Sequence, residues 1–166
     1  MLKKFDVKRI CQCGILAAIG YVVTVFVSIP LSSAGYLNLS DMVISLTTLL
    51  FGPVSGIIVG SIFAGMADLT LGYYLYIPFT IVSKSLEVVF IHLVLNKIKY
   101  KWKYLLIFIP SFIMALVYVI PDFIVLGFNS YLLVLSNLLF NFIQGLVGII
   151  LSLVLYNILK KVIKRA

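Results

Sequence analysis

The chain holds 166 residues, enough for one domain, yet 63% of them are hydrophobic and only 11% are charged. That leaves too little polar surface to cover a globule in water, so a water-soluble fold is excluded and the bilayer is the solvent. The net charge of +8 does not indicate nucleic-acid binding, because the basic residues flank apolar segments instead of decorating one face of a soluble domain.

Breaking the chain at Lys/Arg runs, Pro, Gly and Asn predicts six membrane helices near 10–29, 40–51, 54–71, 77–95, 104–127 and 131–159. The fold class is therefore an all-α membrane bundle, a single domain over residues 1–166. The first segment starts from a basic stretch and is followed by Ser32-Ser33-Ala34, but its apolar run of about 20 residues exceeds a signal-peptide core, so it reads as a helix. Within it, Cys11 and Cys13 lie two apart, suit neither a disulfide framework nor a metal site, and read as small apolar residues. Gly14 and Ala18, four apart, form a small-residue strip that fits either internal packing or the approach of another helix. The segment 40–51 is short for a span, and Phe51-Gly52-Pro53 is a tight break. Gly52, Gly56 and Gly60 form a second small strip, which reads as internal packing.

Basic residues set the expected orientation. Lys3, Lys4, Lys8 and Arg9 precede the first helix, Lys97, Lys99, Lys101 and Lys103 separate the fourth from the fifth, and Lys160, Lys161, Lys164 and Arg165 end the chain. With six spans, all three clusters fall on one side, which the positive-inside rule makes cytoplasmic together with both termini. Contact with anionic lipid is a secondary role for these charges. The remaining ionisable residues, Asp41, Asp68, Lys84, Glu87, His92 and Asp122, fall within the spans, where charge is costly and calls for a partner, an interior position or a site.

Lys84 and Glu87 are three apart on one helical face, where they can pair with each other or anchor a polar ligand. His92 reads as a structural hydrogen-bonding group. Asn137, Asn141 and Gln144 form an amide stripe that must face the bundle, bridging helices or lining a polar pocket. Tyr73, Tyr74, Tyr76 and Tyr131 fall at the expected outer boundary, as an interfacial belt or as stacking groups for a pocket. The sequence carries no phosphate-binding loop, no zinc-protease helix and only one histidine, so it offers no ATPase motif and no triad. No metal and no cofactor of its own are expected.

At Asn38-Leu39-Ser40-Asp41, Phe51-Gly52-Pro53-Val54-Ser55-Gly56, Ala67-Asp68-Leu69 and Thr80-Ile81-Val82-Ser83-Lys84-Ser85-Leu86-Glu87, the chain resembles the S components of energy-coupling factor (ECF) transporters. The likeness covers nearly the whole chain, and the nearest subgroup is the hydroxymethylpyrimidine or pyridoxine type. The resemblance implies a membrane subunit that binds a small water-soluble vitamin at the outer side and topples to deliver it inward. It also implies partners: a transmembrane coupling protein and two cytoplasmic ATPases, which alone would use ATP, in the plasma membrane. The family's Ala-x-x-x-Ala docking strip corresponds to Gly14-Ile15-Leu16-Ala17-Ala18, which turns Gly14 and Ala18 toward a partner interface. By the same resemblance the ligand site draws on Lys84, Glu87, Asp122, Asn137 and Asn141, with Asn38 and Tyr76 on closing loops. Asp41 and Asp68 are expected to cap helix ends or brace loops. The readings outside the resemblance are an integral membrane enzyme or assembly factor, which lacks an evident nucleophile and base, and a stand-alone channel, which lacks a charged pore ring.

Overall fold

The computed structural model describes residues 6–31, 35–97 and 106–163. Ser32-Ser33-Ala34 and the basic residues Lys3, Lys4, Lys99, Lys101, Lys103, Lys164 and Arg165 lie outside the described residues. Helix α1 (Val7–Phe26) leads into a two-residue antiparallel hairpin of β1 (Ile29–Pro30) and β2 (Tyr36–Leu37), in which Ile29 faces Leu37 and Pro30 faces Tyr36. Then come α2 (Ser40–Phe51), α3 (Pro53–Leu71), a 3₁₀ turn (Tyr74–Tyr76), α4 (Ile77–Lys97), α5 (Phe108–Leu126), a second 3₁₀ turn (Phe128–Ser130) and α6 (Tyr131–Ile163).

Among the described residues six helices stand where six are expected, but they are not equivalent. Five are long and apolar enough to cross a membrane, whereas α2, with 12 residues, is not. At 1.5 Å per residue α2 covers about 18 Å, well short of a hydrocarbon core of about 30 Å. It sits instead at the middle of the bundle, packed against α1, α3, α4 and α6, with eight of its residues buried. The hairpin makes up the missing length on one side, so the polar start of α2 lies deep in the molecule.

Two contacts fix which ends meet. Arg9 donates to the Phe51 carbonyl and, at 2.9 Å, to Ser55 Oγ, tying the start of α1 to the α2–α3 corner. That corner turns at Gly52, whose φ of 86° lies in the left-handed region that suits glycine, and Pro53 opens α3 at a position that needs no N–H donor. At the opposite end the hairpin, the close of α3, the first 3₁₀ turn and the close of α5 gather together.

The core between α1, α2, α3 and α4 is built on Val43, Ile44, Val59, Phe63, Ala64 and Val88, with Cys13, Leu16 and Ala17 of α1 packed against it. Close approach depends on glycine where α2 meets its neighbours. A Cβ on Gly148 of α6 would stand 2.6 Å from the Asp41 Cβ and 2.9 Å from the Asp41 carbonyl carbon, so glycine there lets the start of α2 press onto α6. A Cβ on Gly56 would run into Thr48 Oγ1 and one on Gly60 would stand 3.1 Å from Ile44 Cγ1, so these two glycines serve internal packing as their spacing suggests, whereas Gly52 has nothing within 4 Å and serves the turn.

Candidate functional site

Beneath the hairpin lies a small polar cavity of about 30 Å³ to which each of the described α-helices contributes. One wall comes from Thr24 of α1, Ser40 of α2 and Ala64 and Asp68 of α3. The opposite wall comes from Thr80 and Lys84 of α4, Tyr118 and Asp122 of α5, and Asn141 and Gln144 of α6. Gly35, Tyr36 and Asn38 of the hairpin segment close it, with Tyr73 and Tyr76 from the neighbouring turn.

Its floor is a buried ion cluster. Lys84, 2% exposed, bonds directly to Asp41, which is fully buried, while the Glu87 carboxylate stands 4.0 Å from the ammonium. Gln144 Nε2 donates to the other Asp41 oxygen at 2.7 Å and accepts the Asn38 backbone N–H at 2.8 Å on Oε1, so one amide joins α6, α2 and the hairpin. The Lys84 ammonium also lies 5.7 Å from the centroid of the Tyr118 ring, within reach of a cation–π contact. A cation taken out of water needs this many partners, and α4 can hold it only because α2 delivers Asp41 at mid-depth.

The upper wall is aromatic. Tyr36, Tyr73, Tyr76 and Tyr118 form a chain of rings with centroid separations of 5.0, 5.9 and 6.4 Å. Three hydroxyls are anchored outward from that chain: Tyr36 donates to Asp68 Oδ1 at 2.7 Å, Tyr76 to Asp122 Oδ1 at 2.6 Å, and Tyr118 to Thr80 at 3.2 Å. Burial, with the charge of Asp68 beside it, pushes the Tyr36 hydroxyl above the ordinary range for tyrosine, so it stays a proton donor. Asp122 lies directly after Pro121, whose missing N–H removes one bond of the helical ladder near the end of α5.

The structure gathers Asn38, Tyr76, Lys84, Asp122 and Asn141 around the cavity. Glu87 and Asn137 stand behind the wall: Glu87 is fully buried beside Lys84, and Asn137 hydrogen bonds to Asp122. Asp41 corrects the helix-cap expectation. Its side chain makes no cap bond and is instead the direct partner of Lys84, because the start of α2 is buried and a carboxylate there is worth more against an ammonium than against a helix end. Asp68 does brace a loop, through Tyr36, and also faces the cavity. Sequence reasoning missed Tyr36, Tyr118, Thr24 and Thr80, which carry no spacing signal. Of the belt tyrosines, Tyr74 and Tyr131 do point outward, at 65% and 61% exposure, whereas Tyr73 and Tyr76 turn in. Gly14 and Ala18 lie on the exposed face of α1, with nothing within 4 Å of a Cβ built on Gly14. Among the described residues no group of His, Cys, Asp and Glu is arranged to hold a metal ion.

A multi-pass helical bundle that encloses a small polar cavity at one end, closed by a loop, is the architecture of a membrane-embedded small-molecule binding protein. The chain belongs to the family of ECF-type riboflavin transporter S components, whose model matches residues 4–161. A solved structure of the S component of a bacterial ECF transporter is similar with a TM-score of 0.74 over 95% of this chain and 98% of that one, at 26% identity. An uncharacterised protein of Pyrococcus woesei is 42% identical over 67 residues, which span 40% of this chain and 45% of that relative. Membership makes the chain a multi-pass membrane transport component and not an enzyme.

Proposed function

We propose that this protein is the substrate-capture subunit of an ATP-driven importer and that its vitamin is riboflavin. The observation that carries the reading is a tyrosine-lined polar cavity in a chain matched over residues 4–161 by a riboflavin-type S component model. A flavin needs flat partners for its ring system and hydrogen-bonding groups for its ribityl hydroxyls and ring amide. The four tyrosines supply the first, and Asn38, Asp68, Thr80, Lys84, Asp122, Asn141 and Gln144 the second. The sequence alone pointed to a pyridoxine or hydroxymethylpyrimidine ligand; the family match favours the flavin, and we take it.

At about 30 Å³ the cavity holds little more than a water molecule, whereas sites that bury a drug-sized ligand run from about 300 Å³ upward. Capture therefore requires the hairpin to lift. Tyr36 to Asp68, Tyr73 to the Gly35 carbonyl at 3.3 Å, and Asn38 to Gln144 are the bonds that must open. Next to the cavity lies an apolar cleft of about 270 Å³ between Val27, Ile29, Leu37, Phe140, Ile143 and Val147, sharing Asn38 and Gln144 with it. Movement of those two side chains joins a polar and an apolar space, which suits a ligand with a polar tail and an apolar ring edge.

In this reading both termini face the cytoplasm, the hairpin end faces outward in the plasma membrane, and Gly14 and Ala18 meet the transmembrane coupling protein that two cytoplasmic ATPases drive. The test is titration of the detergent-purified protein with riboflavin, pyridoxine, hydroxymethylpyrimidine, thiamin, biotin and niacin, read by thermal shift and, for riboflavin, by quenching of flavin fluorescence. Saturable stabilisation by riboflavin is the expected result, with about 2.7 kcal/mol gained at 100 times the dissociation constant. Stabilisation by another vitamin reassigns the ligand, and none by any removes the capture reading.

A further inference from the structure

Asp68 is not among the residues that family resemblance places at the ligand, yet its surroundings are unusual. It is 3% exposed, lies in the cavity wall, and has one oxygen, Oδ1, held by Tyr36 at 2.7 Å. The other oxygen, Oδ2, is buried with no donor in good hydrogen-bond geometry among the described residues, although the Thr80 hydroxyl lies beside the carboxylate. A buried carboxylate oxygen left unsatisfied is costly, so a group that repeats this in a folded protein is usually waiting for a donor.

The charges around the cavity give that donor a character. Asp122 also lines the cavity, and Asp41 and Glu87 lie against its floor. Lys84 is the one basic side chain among the described lining residues and is already bonded to Asp41. Carboxyl groups thus outnumber ammonium groups in a site largely shielded from water, where a further negative charge meets little screening.

We propose that Asp68 reads the ligand: Oδ2 takes a hydrogen-bond donor from it while Oδ1 holds the hairpin through Tyr36, so that the site selects neutral or cationic, donor-bearing ligands and turns anionic ones away. This rests on the capture reading above and adds the charge class of the ligand. One side chain then couples recognition to closure. A donor that satisfies Oδ2 also steadies the carboxylate that Tyr36 needs, whereas an anion destabilises both.

The test compares each neutral vitamin with its phosphorylated form on the purified protein: riboflavin against flavin mononucleotide, and pyridoxine against pyridoxine 5′-phosphate. Wild-type protein should prefer the unphosphorylated member by more than about tenfold, the scale of one buried hydrogen bond to a charged group. Asp68→Asn should weaken the neutral ligand by about tenfold and shrink the preference. Tyr36→Phe, which removes the hairpin bond without touching the charge, should weaken both ligands alike and leave the preference intact. Equal or tighter binding of the phosphorylated forms by wild-type protein overturns the proposal while leaving vitamin capture standing, and needs no variant to fold. An Asp68→Asn protein with both affinity and preference within twofold of wild type also overturns it. If pyridoxine binds and riboflavin does not, the flavin assignment fails and the pyridoxine pair decides the role of Asp68. Binding of none of the four compounds overturns the proposal for Asp68, and the capture reading falls with it only if the wider vitamin titration is negative as well.

Discussion

Helices α1 and α2 are neighbours in the chain and opposites in environment. Of the 20 residues of α1 only Gly20 and Thr24 are buried, whereas α2 buries eight of 12, among them Ser40, Asp41, Ser45, Thr47 and Thr48. The helix that faces out thus presents apolar side chains such as Ile15, Ile19 and Val22, and the helix that the bundle encloses buries Ser, Asp and Thr. In lipid this inversion is expected, because apolar side chains gain nothing by avoiding the solvent while polar ones must find partners inside. The difference divides the labour: α2 builds the floor of the site, and α1 offers a surface to lipid or to another protein.

The sharpest way to break this comparison is to remove the charge that α2 supplies. Asp41→Ala leaves Lys84 buried without its direct partner, and the expected cost is about 3–5 kcal/mol, seen as a large drop in thermal unfolding temperature in detergent. A variant as stable as wild type would mean that Lys84 finds water or Glu87 instead. Next in size, Gly148→Ala puts a methyl group against the backbone at Asp41 and should cost about 1–3 kcal/mol, with loss of vitamin binding because the floor shifts. Unchanged affinity there would show that α2 can slide without disturbing the cavity. Tyr76→Phe deletes the hydroxyl bonded to Asp122 and should weaken binding by about 1.5–3 kcal/mol as measured by titration, with a smaller effect on unfolding. The smallest effect on the isolated protein belongs to α1. Gly14→Trp should change its stability by no more than about 0.5 kcal/mol and leave vitamin binding intact, yet prevent co-purification with the coupling protein. Loss of vitamin binding in that variant would mean that the exposed face of α1 also supports the site.

Much of the site was legible as chemistry but not as arrangement. Six charged or ionisable groups in apolar segments announced themselves by their cost, and the amide stripe of Asn137, Asn141 and Gln144 by its helical spacing. The three amides nevertheless do different jobs: Asn141 lines the cavity, Gln144 ties the hairpin to Asp41, and Asn137 supports Asp122 from behind. Lys84 and Glu87 share a helical face, but the closer partner of Lys84 comes from 43 residues away, and no local spacing encodes it. The tyrosines were ambiguous for a related reason. A ring with a polar tip suits both a membrane interface and a pocket wall, and only the packing of the first 3₁₀ turn against α5 sends Tyr76 inward while Tyr74 points out.

Sequence by itself determined the solvent, the helices, their near-correct limits and the clustering of basic residues at their ends. Those features follow from composition and local periodicity, which hydrocarbon enforces segment by segment. Tertiary structure decided that α2 is a buried half-length helix, that Asp41 is an ion-pair partner and not a cap, and that Asp68 both holds the hairpin through Tyr36 and lines the cavity. These depend on which helices touch and at what depth. Depth is set by close approach at residues such as Gly148, a long-range steric fact with no signature in the neighbouring sequence.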